Sequence, residues 1–191
     1  MTDTEARFRN IHQDLIDGCR LGDQKAQFQI YKLYYKAMYN TSLRIVNDPM
    51  EAEDIMQEAF LSAFEKIDTY TGAASFGAWL KRIVVNRSLD ALNRQKEIFE
   101  DIEQHAGIPD ESGDEAARSN ELDVMVEDVK RAIDTLPDGY RIILSLYLLE
   151  GYDHDEIAEI MSITSSTSRS QLSRAKQKLV SELKNMKQTV L

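Results

Sequence analysis

The sequence predicts an all-α fold of two small helical domains joined by a flexible acidic linker. Three observations carry this reading. Chain breakers are few, with 8 Gly and 3 Pro in 191 residues, while the strong helix formers Ala, Leu, Glu, Lys, Gln and Met are common. Apolar residues recur at steps of three and four rather than in strand-like alternation. Between two such periodic blocks lies a polar, acidic stretch, residues 97–119, holding Gly107, Pro109 and Gly113. Its apolar content is too low to form a core of its own.

The first domain is expected over residues 11–96. A short helix around Asp14–Cys19 ends at Leu21-Gly22-Asp23. A long helix follows, with Phe28, Tyr31, Tyr35, Met38, Ser42 and Ile45 on one stripe, which reads as core packing. Asn47-Asp48-Pro49 stops it. Asp48 is placed as an N-cap, Pro49 at the first helical position, and Glu51 closes a capping pattern. The third helix, Pro49–Lys66, carries Ala52, Ile55, Met56, Ala59, Phe60, Ala63 and Phe64 inward and Glu51, Asp54, Glu58 and Glu65 outward. The loop Asp68–Gly72 breaks the pattern, and a fourth helix is expected over about Ser75–Lys96.

The second domain is expected over residues 120–187. Leu122, Met125, Val126, Val129, Ala132 and Ile133 mark one helix, and Leu136-Pro137-Asp138-Gly139 a turn. Ile142, Ile143, Leu146 and Leu149 mark a second helix ended by Gly151. Asp153 with Glu156 predicts a capping box ahead of a short third helix. After Ser162-Ile163 a fourth begins at N-cap Thr164, with Leu172, Ala175, Leu179 and Leu183 inward.

Composition excludes several classes. Cys19 is the only cysteine, so neither an internal disulfide nor a cysteine zinc cluster is possible. The start of the chain lacks a basic segment followed by an apolar core, and no stretch approaches 18 uncharged apolar residues. A cytoplasmic protein with no direct membrane insertion is expected. The formal charge of −10 argues at first against nucleic acid, but it is unevenly distributed. Residues 81–96 net +4, residues 163–191 net +5, and residues 97–128 between them net −11. Two basic segments flanking an acidic one suit a protein that meets phosphates at two places.

The stretch Tyr152–Leu183 has the form of a helix-turn-helix. A short helix, a tight break and a longer helix follow each other. The outward positions of the longer helix are small, polar or basic: Ser165, Ser166, Thr167, Arg169, Ser170, Gln171, Arg174 and Lys178. Small side chains let a helix enter the major groove, hydroxyls and the helix N-terminus bind phosphate, and Arg and Gln address guanine and adenine edges. In the fourth helix of the first domain, Trp79 and Asn86 stand beside Lys81, Arg82 and Arg87. Aromatics and amides among cations suit single-stranded or flipped bases.

Three blocks in order, MEAEDIMQEAFLSAFEKI, SFGAWLKRIVVNRSLD and LPDGYRIILSLYLLEGYDHDEIAEIMSITSSTSRSQLSRAKQKL, resemble the extracytoplasmic-function (ECF) group of RNA polymerase sigma factors over nearly the whole chain. The resemblance implies that residues 11–96 are sigma region 2 and residues 120–187 region 4. It implies docking on the β′ subunit of core polymerase, whose β subunit is also counted as a partner, through Asp54, Gln57, Glu58 and Phe60. It implies opening and holding of the −10 element by Tyr70, Phe76, Trp79, Lys81, Arg82, Asn86 and Arg87, and reading of −35 duplex by Ser165–Lys178. Many relatives also have an anti-sigma partner. Three positions depart from the family pattern. Ser162 stands where a Gly often makes the turn, at a cost on the order of 1 kcal/mol if its φ is positive. Ser168 replaces an apolar residue beneath the reading helix. Ser165-Ser166 replaces a more varied pair.

The competing class is a stand-alone dimeric helix-turn-helix regulator, which should shift a palindromic operator by itself. An enzyme has little support: His12, His105 and His154 are far apart with no metal-ligand spacing, no cofactor is implied and no Gly-rich phosphate loop appears. A pure interaction protein would leave both basic segments unexplained.

Overall fold

The computed structural model describes residues 11–100 and 126–188, without the side chains of residues 95–100, 126, 127, 187 and 188. The linker expected over residues 97–119 therefore lies, beyond Glu100, outside the described residues, as do Leu122 and Met125. The described residues form eight α-helices: α1 Gln13–Arg20, α2 Gln24–Val46, α3 Pro49–Glu65, α4 Phe76–Glu100, α5 Val126–Asp134, α6 Asp138–Leu144, α7 His154–Met161 and α8 Ser165–Gln188. No strand occurs among them. The chain divides into two compact units between Leu92 and Asn93, within α4.

Capping residues set the helix boundaries. Asp23 accepts a hydrogen bond from the Lys25 N–H and Asp48 one from the Glu51 N–H, with Pro49 opening α3. Asp153 and Glu156 complete the expected capping box at the start of α7. Each satisfies donors that a helix start leaves without partners. Asn47 ends α2 and Ser162 ends α7 in the left-handed region, with φ of 58° and 55°. At Ser162 this is the condition under which a serine costs more than a glycine. The second expected helix of the C-terminal unit is not α-helical to its end. It is α6 followed by a π turn, Ser145–Leu149, in which the Glu150 N–H bonds to the Ser145 carbonyl at 3.0 Å. The Ser145 hydroxyl is buried there without a partner among the described residues.

In the first unit α1, α2 and α3 pack around Ile16, Ile30, Met38, Met56 and Phe60, with Phe76, Leu80 and Val84 of α4 in the same core. Burying each such side chain contributes roughly 1.5–3 kcal/mol. α2 and α4 also meet through a buried polar pair. The Ser88 hydroxyl bonds back to the Val84 carbonyl and lies 3.0 Å from that of Ser42. Cys19 is buried between α1 and α2, and burial together with the Asp23 carboxylate pushes its thiol pKa up. The second unit closes over Ile133, Leu136, Ile143, Leu146 and Ile157, with Leu172, Ala175 and Leu179 of α8 facing in.

α1 approaches α2 closely at Gly18, where an added Cβ would stand 2.7 Å from the Ala26 Cβ. Neither helix backbone can yield by rotating a side chain. Gly18→Ala is expected to destabilise the first unit by about 1–3 kcal/mol, read as a lowered thermal unfolding midpoint. Ser162→Gly is expected to do the opposite in the second unit, raising stability by about 1 kcal/mol by relieving the left-handed serine. An unchanged midpoint would show that the turn relaxes by other means.

Candidate nucleic-acid interface

α8 is built with two unlike faces. Ser168, Leu172, Ala175 and Leu179 form its buried stripe. Directly opposite, at helical spacing, lie the exposed Ser166, Ser170, Ser173 and Gln177, with Arg169 on one flank and Arg174 and Lys178 on the other. The outermost strip carries only small or neutral polar side chains, framed by cations. Arg169, Gln171 and Arg174 make no hydrogen bond or ion pair among the described residues, whereas Lys178 reaches Glu182 at 3.4 Å. Ser173 and Gln177 belong to this strip and were missed by the sequence reading. The 100° step from Ser166 and Ser170 is the signal that finds them.

The first turn of α8 is tied up in hydroxyl contacts. Thr164 accepts the Thr167 N–H as N-cap, as expected, and its hydroxyl meets those of Ser166 and Thr167 at 2.9 and 2.8 Å. The Ser165 hydroxyl donates to the Asp155 carboxylate of α7. Ser170 bonds back to the Thr167 carbonyl. Ser165 and Thr167 thus spend part of their bonding capacity on the turn, and the long side chains beyond them are the ones that reach outward.

In the first unit the expected site residues separate into a support and a surface. Phe76 is fully buried and Tyr70 is 5% exposed, which corrects their assignment as direct nucleic-acid contacts. They form the floor of the loop 71–75. Tyr70, Phe76 and Trp79 pack with ring centroids 5.4 Å apart in each pair, and Tyr34 closes on Phe76 at 5.6 Å. The Tyr70 hydroxyl donates to the Ala74 carbonyl, and its own carbonyl accepts from Arg20, both at 2.8 Å. Tyr70 thereby fixes the loop from inside while Thr71, Ala73, Ala74 and Ser75 stay exposed. Trp79 is half-buried beside them. Asn86 is exposed, and Lys81, Arg82 and Arg87 are partly so.

α3 presents the other expected surface. Asp54, Gln57 and Glu58 are exposed, but Phe60 is 2% exposed and packs on Tyr31 and Phe64. Its assignment to docking is corrected, because it lies on the inward stripe of the helix. Its neighbour Leu61 is 65% exposed, and Met50 77%. Leu61 follows Asp54, Gln57 and Glu58 along the outward face, so an acidic surface carries an apolar side chain in its midst. Glu58 also reaches across to α4 and pairs with Arg87 at 2.8 Å.

Comparisons with known proteins identify the family and the fold. The family profile of Sigma-70 region 2 matches residues 30–98, and that of Sigma-70 region 4 matches residues 127–179. The chain is 29% identical over 178 residues to the RNA polymerase sigma-H factor of Pseudomonas aeruginosa, covering 86% of this chain and 90% of the relative. It is 28% identical to the ECF RNA polymerase sigma factor SigW of Bacillus subtilis, with 86% and 92% covered. It is 30% identical to the ECF RNA polymerase sigma-E factor of Escherichia coli K12, with 86% and 90% covered. Among solved structures, the sigma factor RpoE of Bartonella quintana in complex with the anti-sigma factor NepR superposes with a TM-score of 0.57 at 23% identity, over 82% of this chain and 95% of that one. CnrH in complex with the cytosolic domain of CnrY gives 0.55 at 19%, over 91% and 97%. These two speak for the fold.

The Arg87–Glu58 pair is solvent-exposed, so it should contribute no more than about 0.2–1 kcal/mol to stability. Arg87→Ala and Glu58→Ala are each expected to leave the unfolding midpoint nearly unchanged, with a small coupling in the double-mutant cycle. A loss of several degrees would mean that the pair is structural.

Proposed function

Because the chain belongs to the extracytoplasmic-function group of RNA polymerase sigma factors, we propose that its two helical units divide the recognition of one promoter between them. A sigma factor binds RNA polymerase core and directs it to particular promoters. It works by binding and positioning, so neither an enzymatic step nor a cofactor is assigned to the chain. Family membership also sets aside the reading as a stand-alone dimeric regulator.

The first unit takes two roles in this reading. The outward face of α3, with Glu53, Asp54, Gln57, Glu58 and Leu61, docks on core polymerase at a basic surface of β′. Exposed carboxylates steer that encounter, and Leu61 supplies the apolar anchor inside the polar rim. The loop 71–75, with Trp79, Lys81, Arg82, Asn86 and Arg87, holds the opened −10 element. Trp79 offers a stacking face and the cations meet phosphates. Tyr70 and Phe76 hold that loop in place from beneath.

The second unit reads the −35 element as duplex, with α8 in the major groove. One observation carries this reading. α8 presents a strip of small polar side chains flanked by Arg169, Gln171 and Arg174, all three without partners among the described residues. Small side chains let the helix backbone approach, and the flanking groups have the donors that guanine and adenine edges require. The net negative charge of residues 97–119 stands in for nucleic acid on the polymerase in this reading. An anti-sigma factor is a further partner in this reading, as in the RpoE complex. The site of action is the cytoplasm, at the nucleoid; among the described residues no helix is long and apolar enough to cross a membrane.

The direct test is run-off transcription with purified protein and core polymerase on promoter-bearing DNA. A transcript from one defined start should require both components. Arg174→Ala is expected to lower −35-dependent initiation about tenfold, within the roughly 1–3 kcal/mol of a lost base contact, while core binding stays intact. Loss of core binding in that variant would overturn the role given to α8. A shifted palindromic duplex without polymerase would revive the dimeric regulator.

A further inference from the structure

The two helices of the helix-turn-helix meet through a polar contact where apolar packing would suffice. Ser168 lies on the inward stripe of α8 with Leu172, Ala175 and Leu179 and is fully buried. A hydroxyl withdrawn from water costs free energy unless it finds a partner. Its partner is His154, the first residue of α7, whose Nδ1 lies 2.9 Å from the Ser168 oxygen. The imidazole in turn stacks on Tyr147, with centroids 5.0 Å apart and planes 27° from parallel. Tyr147 belongs to the π turn that follows α6. Over its ring, 5.3 Å from the centroid, stands the ammonium of Lys176.

These four side chains form a closed circuit. It leaves α8 at Ser168, passes through the start of α7 and the π turn, and returns to α8 at Lys176. The two points on α8 are eight residues apart, or about 12 Å along the axis. Two attachments at that separation oppose sliding and rolling of the helix together. Apolar contacts are non-directional and tolerate small slips. A hydrogen bond weakens steeply with angle and distance. Base-edge contacts from Arg169, Gln171 and Arg174 have the same narrow geometric tolerance.

We propose that His154 and Ser168, braced by Tyr147 and Lys176, are positioning residues that set the angle of α8 and thereby its discrimination among −35 sequences. This rests on the reading of α8 as the duplex-reading helix. None of the four need touch a base. Their effect is carried by the placement of the side chains that do.

The test uses the full chain with core polymerase on a set of promoters differing by single −35 base pairs. Discrimination is the ratio of initiation on the preferred sequence to that on each variant. Ser168→Ala and His154→Phe each remove the hydrogen bond, the latter keeping an aromatic ring for Tyr147. Each is expected to lower discrimination about tenfold, the order of one base contact thrown out of line, with core binding unchanged. The double variant should lose no more than either single one. His154→Gln, which can still bond to the serine, should retain most of the discrimination. Equal discrimination in all variants, or additive losses, would overturn the proposal, as would a drop confined to thermal stability. Arg174→Ala in the same assay separates the two readings. If it lowers discrimination and the His154 and Ser168 variants do not, the positioning role fails alone. If it has no effect, the duplex-reading role of α8 fails and the proposal with it.

Discussion

A helix that offers one face to a ligand has only the other with which to hold itself in place. In a folded protein most of a helix's stability comes from tertiary packing of one face rather than from its own propensity. α8 meets this constraint with a narrow inward stripe of Ser168, Leu172, Ala175 and Leu179, two of whose members are small. Small inward residues bring the helix close to its neighbours but bury little area. The deficit is offset by directional contacts at its beginning: the Thr164 cap, the Ser165–Asp155 bond and the Ser168–His154 bond. The outward face is then relieved of structural duty and can be chosen for its chemistry.

The first unit solves a similar problem with aromatics. An exposed loop of small residues between α3 and α4 has few side chains with which to fix its own shape. Tyr70 holds it by three means: a buried ring, a hydroxyl bonded to the Ala74 carbonyl and a carbonyl bonded to Arg20 of α1. Gly77 lets the Tyr34 ring lie against the start of α4, where a Cβ would come within 3.0 Å of it. The loop therefore rests on a platform that joins α1, α2 and α4. Charge is sorted over the same unit, with carboxylates outward on α3 and cations on α4, so two partners of opposite sign can be served at once.

The sequence disclosed its helices well because their ends are marked by chemistry. Asp48-Pro49, Asp153 with Glu156, and Thr164 each have one inexpensive explanation, and all three cap where expected. Ser162 was singled out by the resemblance instead, as a side chain where relatives often have glycine, and its φ of 55° meets the condition set for a cost. The π turn was not legible. A slip from four-residue to five-residue hydrogen bonding demands no particular residue type, and Ser145–Leu149 reads as plain helix. Phe60 is instructive in another way. Its periodicity placed it inward, the resemblance placed it at a docking surface, and the structure sides with periodicity. Tyr70 and Phe76 show the converse difficulty. Beside a loop, an aromatic that supports and one that is presented look alike in sequence, and only burial separates them.

Cys19 has a practical consequence. Thiol chemistry proceeds through the thiolate, and the one thiol of this chain is buried with its ionisation suppressed by its surroundings. Burial therefore shields this thiol from maleimide reagents in the folded protein. A cysteine introduced at an exposed position outside the proposed binding surfaces, such as Gln29 or Asn40 of α2, could be tagged with a fluorophore selectively, without first removing the native one. Distances within the working protein could then be followed on an otherwise unaltered background.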